Sequence, residues 1–269
     1  MVQQDKAKGI AIVTGAARGI GAACAKALVE DGWSDILLCD LNGELLEETA
    51  QKLHNSGARI TTLAGDVTAA DFMDRMIEAC DGKPVAAAVH AAGVAPKMVD
   101  TAGMLEINWE SALAFTHAVK PRMADGGAVV LIASNTSYFP IDEELKDIFE
   151  RPLSAGESAA YAERVGNSFA GYLLAKRGVR ALAKSEAVAF GEKGARIVSV
   201  SPGLIDTEMT QDRETDTIQK MINEAAIKRV ADTSELAAAI AFLLSPKASF
   251  ITGCDLLVDG GETAGMGYQ

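Results

Sequence analysis

The sequence is poor in the features that mark several common protein classes. No apolar run approaches the ~18 uninterrupted residues that a membrane-spanning helix needs. Only four cysteines occur, Cys24, Cys39, Cys80 and Cys254, and none forms a CxxC pair, so a zinc ribbon, a dithiol motif and a disulfide framework are all unsupported. No metal site is expected, and buried free thiols in a reducing compartment fit best. Basic residues number 25 against 37 acidic ones, a net charge of -12. That balance repels phosphate backbones and anionic lipid, so neither nucleic acid nor a membrane surface is an expected partner. Linkers rich in proline or serine, low-complexity tracts and internal repeats are also absent, so nothing divides the 269 residues into independent pieces. Met1 to Gly9 is polar and leads into an apolar run too short for an export signal, and a cytoplasmic location is expected.

What is present is an ordinary globular composition, 49% hydrophobic and 23% charged, enough for a single large core. Short apolar runs recur at Ile10 to Val13, Ile36 to Cys39, Ile60 to Ala64, Val85 to His90, Ala128 to Ala133, Arg196 to Val200 and Leu256 to Val258. They read as strands. Helix-length stretches lie between them: Gly19 to Asp31, Leu45 to Asn55, Ala70 to Cys80, Leu105 to Met123 and Gly171 to Phe190. Strands apolar on both faces and joined by helical crossovers specify an α/β fold: a Rossmann-type doubly wound parallel sheet with helices on both faces, in one domain over 1–269.

The first strand runs into Thr14-Gly15-Ala16-Ala17-Arg18-Gly19-Ile20-Gly21. Glycines at this strand-to-helix turn let backbone approach a pyrophosphate, and the following helix offers free N–H groups and its positive end. A tight turn with no ligand is the alternative. The second strand ends in Asp40, where a carboxylate would accept both adenosine ribose hydroxyls and repel a 2'-phosphate. The neighbouring Leu41 and Asn42 supply no cation, so NAD is expected over NADP. A helix cap or turn is the other reading of Asp40. Asp66 and Val67 follow the third strand near the expected adenine. After the fourth, Ala92 and Gly93 let the chain pass close to a cofactor, and His90 reads as structural rather than catalytic.

Of four tyrosines, only Tyr172 has a lysine at i+4, Lys176, which stacks the two on one helical face. A cation there favours the phenolate and suits the phenol to general acid/base work. An exposed amphipathic helix would carry the same string. Ser134, at the end of the fifth strand, belongs at the carboxyl edge of the sheet with the glycine turn, and Asn108 lies in the preceding helix.

Together, TGxxxGIG, Asp66, Asn108, Ser134, Tyr172-x3-Lys176 and Pro202-Gly203-Leu204-Ile205-Asp206-Thr207 resemble the classical short-chain dehydrogenase/reductase family over nearly the whole chain. The resemblance implies Tyr172 as proton donor or acceptor, Ser134 as binder of the substrate oxygen and Lys176 on the nicotinamide ribose. It also implies Asn108 in a water-linked proton relay, Ile205 and Thr207 at the carboxamide, and Pro202 and Gly203 beside the cofactor. Two departures stand out. The usual Asn-Asn-Ala-Gly element reads His90-Ala91-Ala92-Gly93, so the asparagine bonds that tie the central strands are missing. Ser134 and Tyr172 are 38 positions apart where relatives place them about a dozen apart. The extra segment, about 138–168, resembles the insertion of the bacterial 3α-hydroxysteroid dehydrogenase/carbonyl reductase subgroup. Its apolar stripe of Phe139, Ile141, Leu145, Ile148, Phe149 and Leu153 is expected to be buried over the substrate or against a second subunit.

The expected activity is reversible oxidation of a secondary alcohol to a ketone, a hydrophobic cyclic ketone or hydroxysteroid, under a lid at about 206–228. A homodimer or homotetramer is expected. The alternatives are a 3-oxoacyl-thioester reductase, a relative that keeps its nicotinamide for epimerase or dehydratase chemistry, and a non-catalytic NAD(H)-binding sensor.

Overall fold

In the computed structural model, residues 9–141, 145, 157–211 and 215–268 are described. The chain alternates strands and helices from its first element. In order come β1 (Ile10–Thr14), α1 (Gly19–Glu30), β2 (Asp35–Asp40), α2 (Gly43–Leu53), β3 (Arg59–Ala64), α3 (Phe72–Ala79) and β4 (Val85–His90). Then follow α4 (Thr101–Leu105), a π-helical turn (Glu106–Glu110), α5 (Ser111–Val119), β5 (Met123–Ile132), α6 (Ser158–Val165) and α7 (Ser168–Gly191). The last third holds β6 (Arg196–Pro202), α8 (Glu208–Gln211), α9 (Thr215–Glu224), α10 (Thr233–Leu244), β7 (Asp255–Val258) and α11 (Glu262–Gly265).

The seven strands form one parallel sheet in the order β3-β2-β1-β4-β5-β6-β7. Residues of β1, β4 and β6 are buried throughout, because helices cover both faces. One face packs Phe72, Trp109, Phe115, Leu174 and Leu182 from α3, the π-turn, α5 and α7. The other packs Cys24, Leu28, Leu46, Ile240 and Leu243 from α1, α2 and α10. Strand order reverses between β1 and β4, so a crevice opens there beyond the carboxyl ends of the strands.

All seven expected strands are present, and the expected helix over Leu105 to Met123 is helical up to Arg122 but not α throughout. It divides into α4, the π-turn and α5, and β5 begins at Met123, five residues earlier than its apolar run. The early start is irregular, with the β4–β5 register shifting between Val85 and Ala87. α10, absent from the expected elements, begins in a reciprocal capping box between Asp232 and Glu235 and packs against α1. Cys24, Cys39 and Cys80 are buried free thiols and Cys254 is exposed.

Packing around α7 fixes the axis on which Tyr172 and Lys176 stand. Gly171 and Gly178 lie two turns apart on it. A Cβ at Gly171 would stand 2.9 Å from Thr101 Cγ2, and one at Gly178 would stand 2.6 Å from Trp109 Cε3. Glycine at these two positions lets α4 and the fully buried indole come down onto the helix backbone.

Candidate active site

The glycine turn after β1 has the geometry of a cradle for an anionic group. Gly15 and Gly19 take φ of 66° and 55°, a region that side chains with a Cβ rarely enter. A Cβ at Gly15 would stand 2.7 Å from the Ala91 carbonyl carbon, and one at Gly21 would run into the Gly15 carbonyl. The N-terminus of α1 has no side-chain cap, so its first amides remain available to a ligand. A Cβ at Gly19 would lie 3.4 Å from Thr207 Cγ2, so the turn faces the loop after β6.

Asp40 turns toward this cradle. Its Oδ2 accepts the Ala17 amide at 3.0 Å and its Oδ1 accepts the Asn42 amide at 2.9 Å. The cap of α2 is Asn42, whose side chain accepts the Leu45 amide, which leaves Asp40 at the crevice. Leu41 is 71% exposed and Arg18 lies across the turn as the N-cap of α1. Asp66 accepts both the amide and the hydroxyl of Thr68, closing its own turn. Val67 packs at the edge of the core and lines a separate cavity of about 580 Å³ between α5 and α7.

A cleft of about 90 Å³ lies beyond the ends of β4, β5 and β6. It brings together Ile20, Gly93, Ser134, Tyr172, Lys176, Pro202, Gly203, Ile205 and Thr207, expected to share a site from sequence positions as far apart as 20 and 207. Asn135, Met209, Thr210 and Met221 also line it; the last three belong to the lid expected over 206–228, whereas sequence reasoning assigned no role to Asn135. The two methionines come from α8 and α9, within the expected lid. Asn135 follows Ser134 directly and its side chain donates to Glu262 Oε2 at 2.9 Å, a partner 127 positions away that no local pattern would reveal.

Tyr172 is buried, with Lys176 Nζ 5.8 Å from its ring centroid. Lys176 is 6% exposed and donates to the Ile132 carbonyl at 2.9 Å. Burial lowers its pKa to about 8, since desolvation penalises the charged form. Ser134 Oγ accepts from the Thr136 amide at 3.3 Å and from the Thr136 hydroxyl at 3.0 Å. The nearest acceptor for its own proton among these bonds, Asn135 Oδ1, is 3.5 Å away. Asn108 stands behind the cleft, its Oδ1 2.6 Å from where a Cβ on the cleft-lining Gly93 would lie. It is buried in the π-turn, where its Oδ1 accepts the Val94 amide at 2.9 Å and its Nδ2 donates to the Val94 carbonyl at 3.0 Å. The Ala92 amide donates to Thr14 Oγ1, and His90 joins β4 to Thr14 of β1 and to Ser111 of α5. The histidine thus supplies a tie between the central strands where the asparagine pair is missing.

The start of the inserted segment is fastened to the body. Arg177 donates to the carbonyls of Ser137 and Phe139, both at 3.0 Å, and the Arg180 guanidinium lies 3.5 Å from the Tyr138 ring centroid. Phe139 packs on Tyr268, and Leu145 reaches the core edge. On the return, α6 buries Val165 and packs against α4 and α7. Ile148, Phe149 and Leu153 lie outside the described residues.

Comparison with known proteins matches residues 9–144 to the family model described as short chain dehydrogenase. Residues 157–263 match a model described as enoyl-(acyl carrier protein) reductase. Cis-4-hydroxycyclohexanecarboxylate dehydrogenase of Sinomonas cyclohexanicum is 33% identical over 96% of this chain and 98% of its own length. Cyclohexanol dehydrogenase of an Acinetobacter species is 29% identical, covering 95% of each chain. The 3-alpha-(or 20-beta)-hydroxysteroid dehydrogenase of Mycobacterium tuberculosis is 28% identical, over 97% of this chain and 91% of that protein. Among solved structures, a glucose/ribitol-type dehydrogenase from Brucella melitensis superposes with a TM-score of 0.77 at 26% identity, covering 95% of this chain and 96% of that one.

Proposed function

The chain belongs to the short-chain dehydrogenase/reductase family, and from that premise we propose that it interconverts a secondary alcohol and a ketone with NAD(H), using Tyr172 as acid/base. The observation that carries this is the single cleft shared by Ser134, Tyr172 and Lys176 with Gly93, Ile205 and Thr207. The turn of Gly15, Arg18, Gly19, Ile20 and Gly21 would hold the pyrophosphate, and Asp40 beside Leu41 the adenosine ribose. Asp66, Val67, Ala92 and Gly93 would border the adenine and nicotinamide ends, with Pro202, Gly203, Ile205 and Thr207 opposite. Bound nicotinamide supplies the hydride donor or acceptor.

The chain's own residues manage the proton. Ser134 accepts two hydrogen bonds from Thr136, and its hydroxyl proton, held only by a long 3.5 Å bond to Asn135 Oδ1, turns to the substrate oxygen. Tyr172 delivers its phenolic proton to that oxygen on reduction and takes it back on oxidation. Lys176 spends one of three donors on Ile132, leaving others for the ribose and its charge for the phenol. Met209 and Met221 give the cleft an adaptable apolar wall, which suits a carbocyclic alcohol or hydroxysteroid, and relatives that are named for such substrates support that class. The enzyme works as a cytoplasmic homodimer or homotetramer.

Initial rates by nicotinamide absorbance, with NADH and NADPH against ring, steroid, polyol and acyl-thioester ketones, test the reading. A ring or steroid ketone with NADH should turn over, and Tyr172→Phe should lose about 100- to 10,000-fold in kcat while still binding NADH. Preference for an acyl-thioester would overturn the substrate class, and cofactor binding without turnover of any substrate would favour a sensor.

A further inference from the structure

Three buried side chains, Thr14 at the end of β1, His90 at the end of β4 and Ser111 of α5, share a run of hydrogen bonds in which every proton can be assigned. Ser111 Oγ donates to the Ile107 carbonyl, which has no proton to return. The Ser111 oxygen is therefore the acceptor for His90 Nε2, 3.0 Å away. At the other end the Ala92 amide donates to Thr14 Oγ1 at 3.3 Å, and that oxygen lies 2.9 Å from His90 Nδ1. A neutral imidazole protonated on Nε2 has a lone pair on Nδ1, so the Thr14 hydroxyl donates there. The run reads Ala92, Thr14, His90, Ser111, Ile107 in one direction.

The buried surroundings disfavour a second arrangement. Thr14, His90 and Ser111 are each at most 3% exposed, and the imidazole lies against Phe115 with ring centroids 4.8 Å apart. A proton on Nδ1 would leave the Thr14 hydroxyl without the acceptor it now has, a costly arrangement at a buried site. Burial, with the Lys176 charge nearby, holds the imidazole neutral and lowers its pKa to about 3.

One end of the run adjoins the cleft at Gly93, and the other enters the π-turn that packs against Gly93. Ala92 precedes Gly93, where a Cβ would stand 2.6 Å from Asn108 Oδ1 and 3.5 Å from Lys176 Nζ. Ile107 precedes Asn108 in the π-turn, an irregularity that recurs at functional sites. We propose that His90 is a positioning residue: through Thr14 and Ser111 it holds the Ala92–Gly93 turn and the π-turn carrying Asn108 in register, presetting one wall of the cofactor cleft. The effect on cofactor and turnover rests on the oxidoreductase reading, whereas the direction of the hydrogen-bond run does not.

His90→Phe keeps a ring against Phe115 and removes both bonds, while His90→Asn restores an acceptor toward Thr14. The folded phenylalanine variant should bind NADH about tenfold more weakly, as expected for unmade buried bonds. The asparagine variant should recover most of that affinity even where its melting temperature does not recover. A purely structural histidine would lower stability in both without this split. Nitrogen NMR of the intact protein, which has three histidines, decides the matter even if the phenylalanine variant fails to fold. His90 should appear neutral and Nε2-protonated across the folded pH range. A charged or Nδ1-protonated His90, or a folded His90→Phe with parental NADH affinity, would overturn the proposal. If the parent binds no NADH, the functional reading fails and the tautomer alone judges the hydrogen-bond run.

Discussion

Lys176→Met should leave the apo protein as stable as the parent or more so at neutral pH, although it removes a residue assigned to the active site. Lys176 is 6% exposed, and its pKa falls from 10.5 to about 8 through burial. At about 1.36 kcal/mol per pH unit, that difference is about 3 kcal/mol set against the folded state while the ammonium is charged. Methionine keeps an unbranched apolar stem and removes the charge. It also deprives the Ile132 carbonyl of its donor, which costs about 1–3 kcal/mol. The two effects leave a net change between about zero and 2 kcal/mol in favour of the variant. The pH dependence isolates the cause. Below pH 8 both folded and unfolded chains carry the charge, so the parent bears the whole cost. From about 8 to 10.5 the folded chain has released the proton and the unfolded chain still holds it, so unfolding takes up a proton and parental stability rises with pH. Urea unfolding of both proteins from pH 7 to 10.5 should show the parent gaining up to about 3 kcal/mol on the variant, since all other groups cancel in the difference. A flat difference, or a variant several kcal/mol less stable at pH 7, would refute the reasoning. NADH binding should weaken in the same variant.

Asp40→Ser with Leu41→Arg removes the carboxylate facing the glycine turn and places a guanidinium on an exposed position beside it. The ratio of kcat/KM for NADPH over NADH should rise about tenfold or more, and no shift would place the ribose elsewhere. Gly178→Ala drives a methyl group to within 2.6 Å of the buried Trp109 ring. It should destabilise by about 1–3 kcal/mol in thermal melts, and an unchanged Tm would mean that α7 is free to move off the indole.

How much of the site was legible follows from how local each signal is. Tyr172 and Lys176 are bound by helical spacing, and the glycines by the conformations their turn requires, so both could be read without tertiary information. The role of Asp40 was legible only as position. The cap at Asn42 removes the helix-cap alternative, whereas the Asp40 carboxylate accepts both the Ala17 amide across the glycine turn and the Asn42 amide of its own turn. α10 went unread although Asp232 and Glu235 stand at capping-box spacing, because its apolar residues surround the helix and give little periodicity. The division of the helix before β5 had no local mark either, since a π-turn needs only one extra residue per turn and is stabilised by packing.

The sequence by itself determined the order of elements and the parallel sheet, because strands apolar on both faces and joined by helix-length crossovers have few other ways to bury their surface. It also determined which chemical groups could meet, since strand ends gather at one edge of such a sheet. Tertiary structure alone decided which of them do. It put Asn135 into the cleft beside the lid methionines and turned the Asn108 side chain onto Val94. It also gave His90 the tie between strands that the missing asparagines would otherwise supply. Those outcomes depend on contacts between residues far apart in the chain, whose distances are set by packing volume and hydrogen-bond satisfaction and not by any spacing along the sequence.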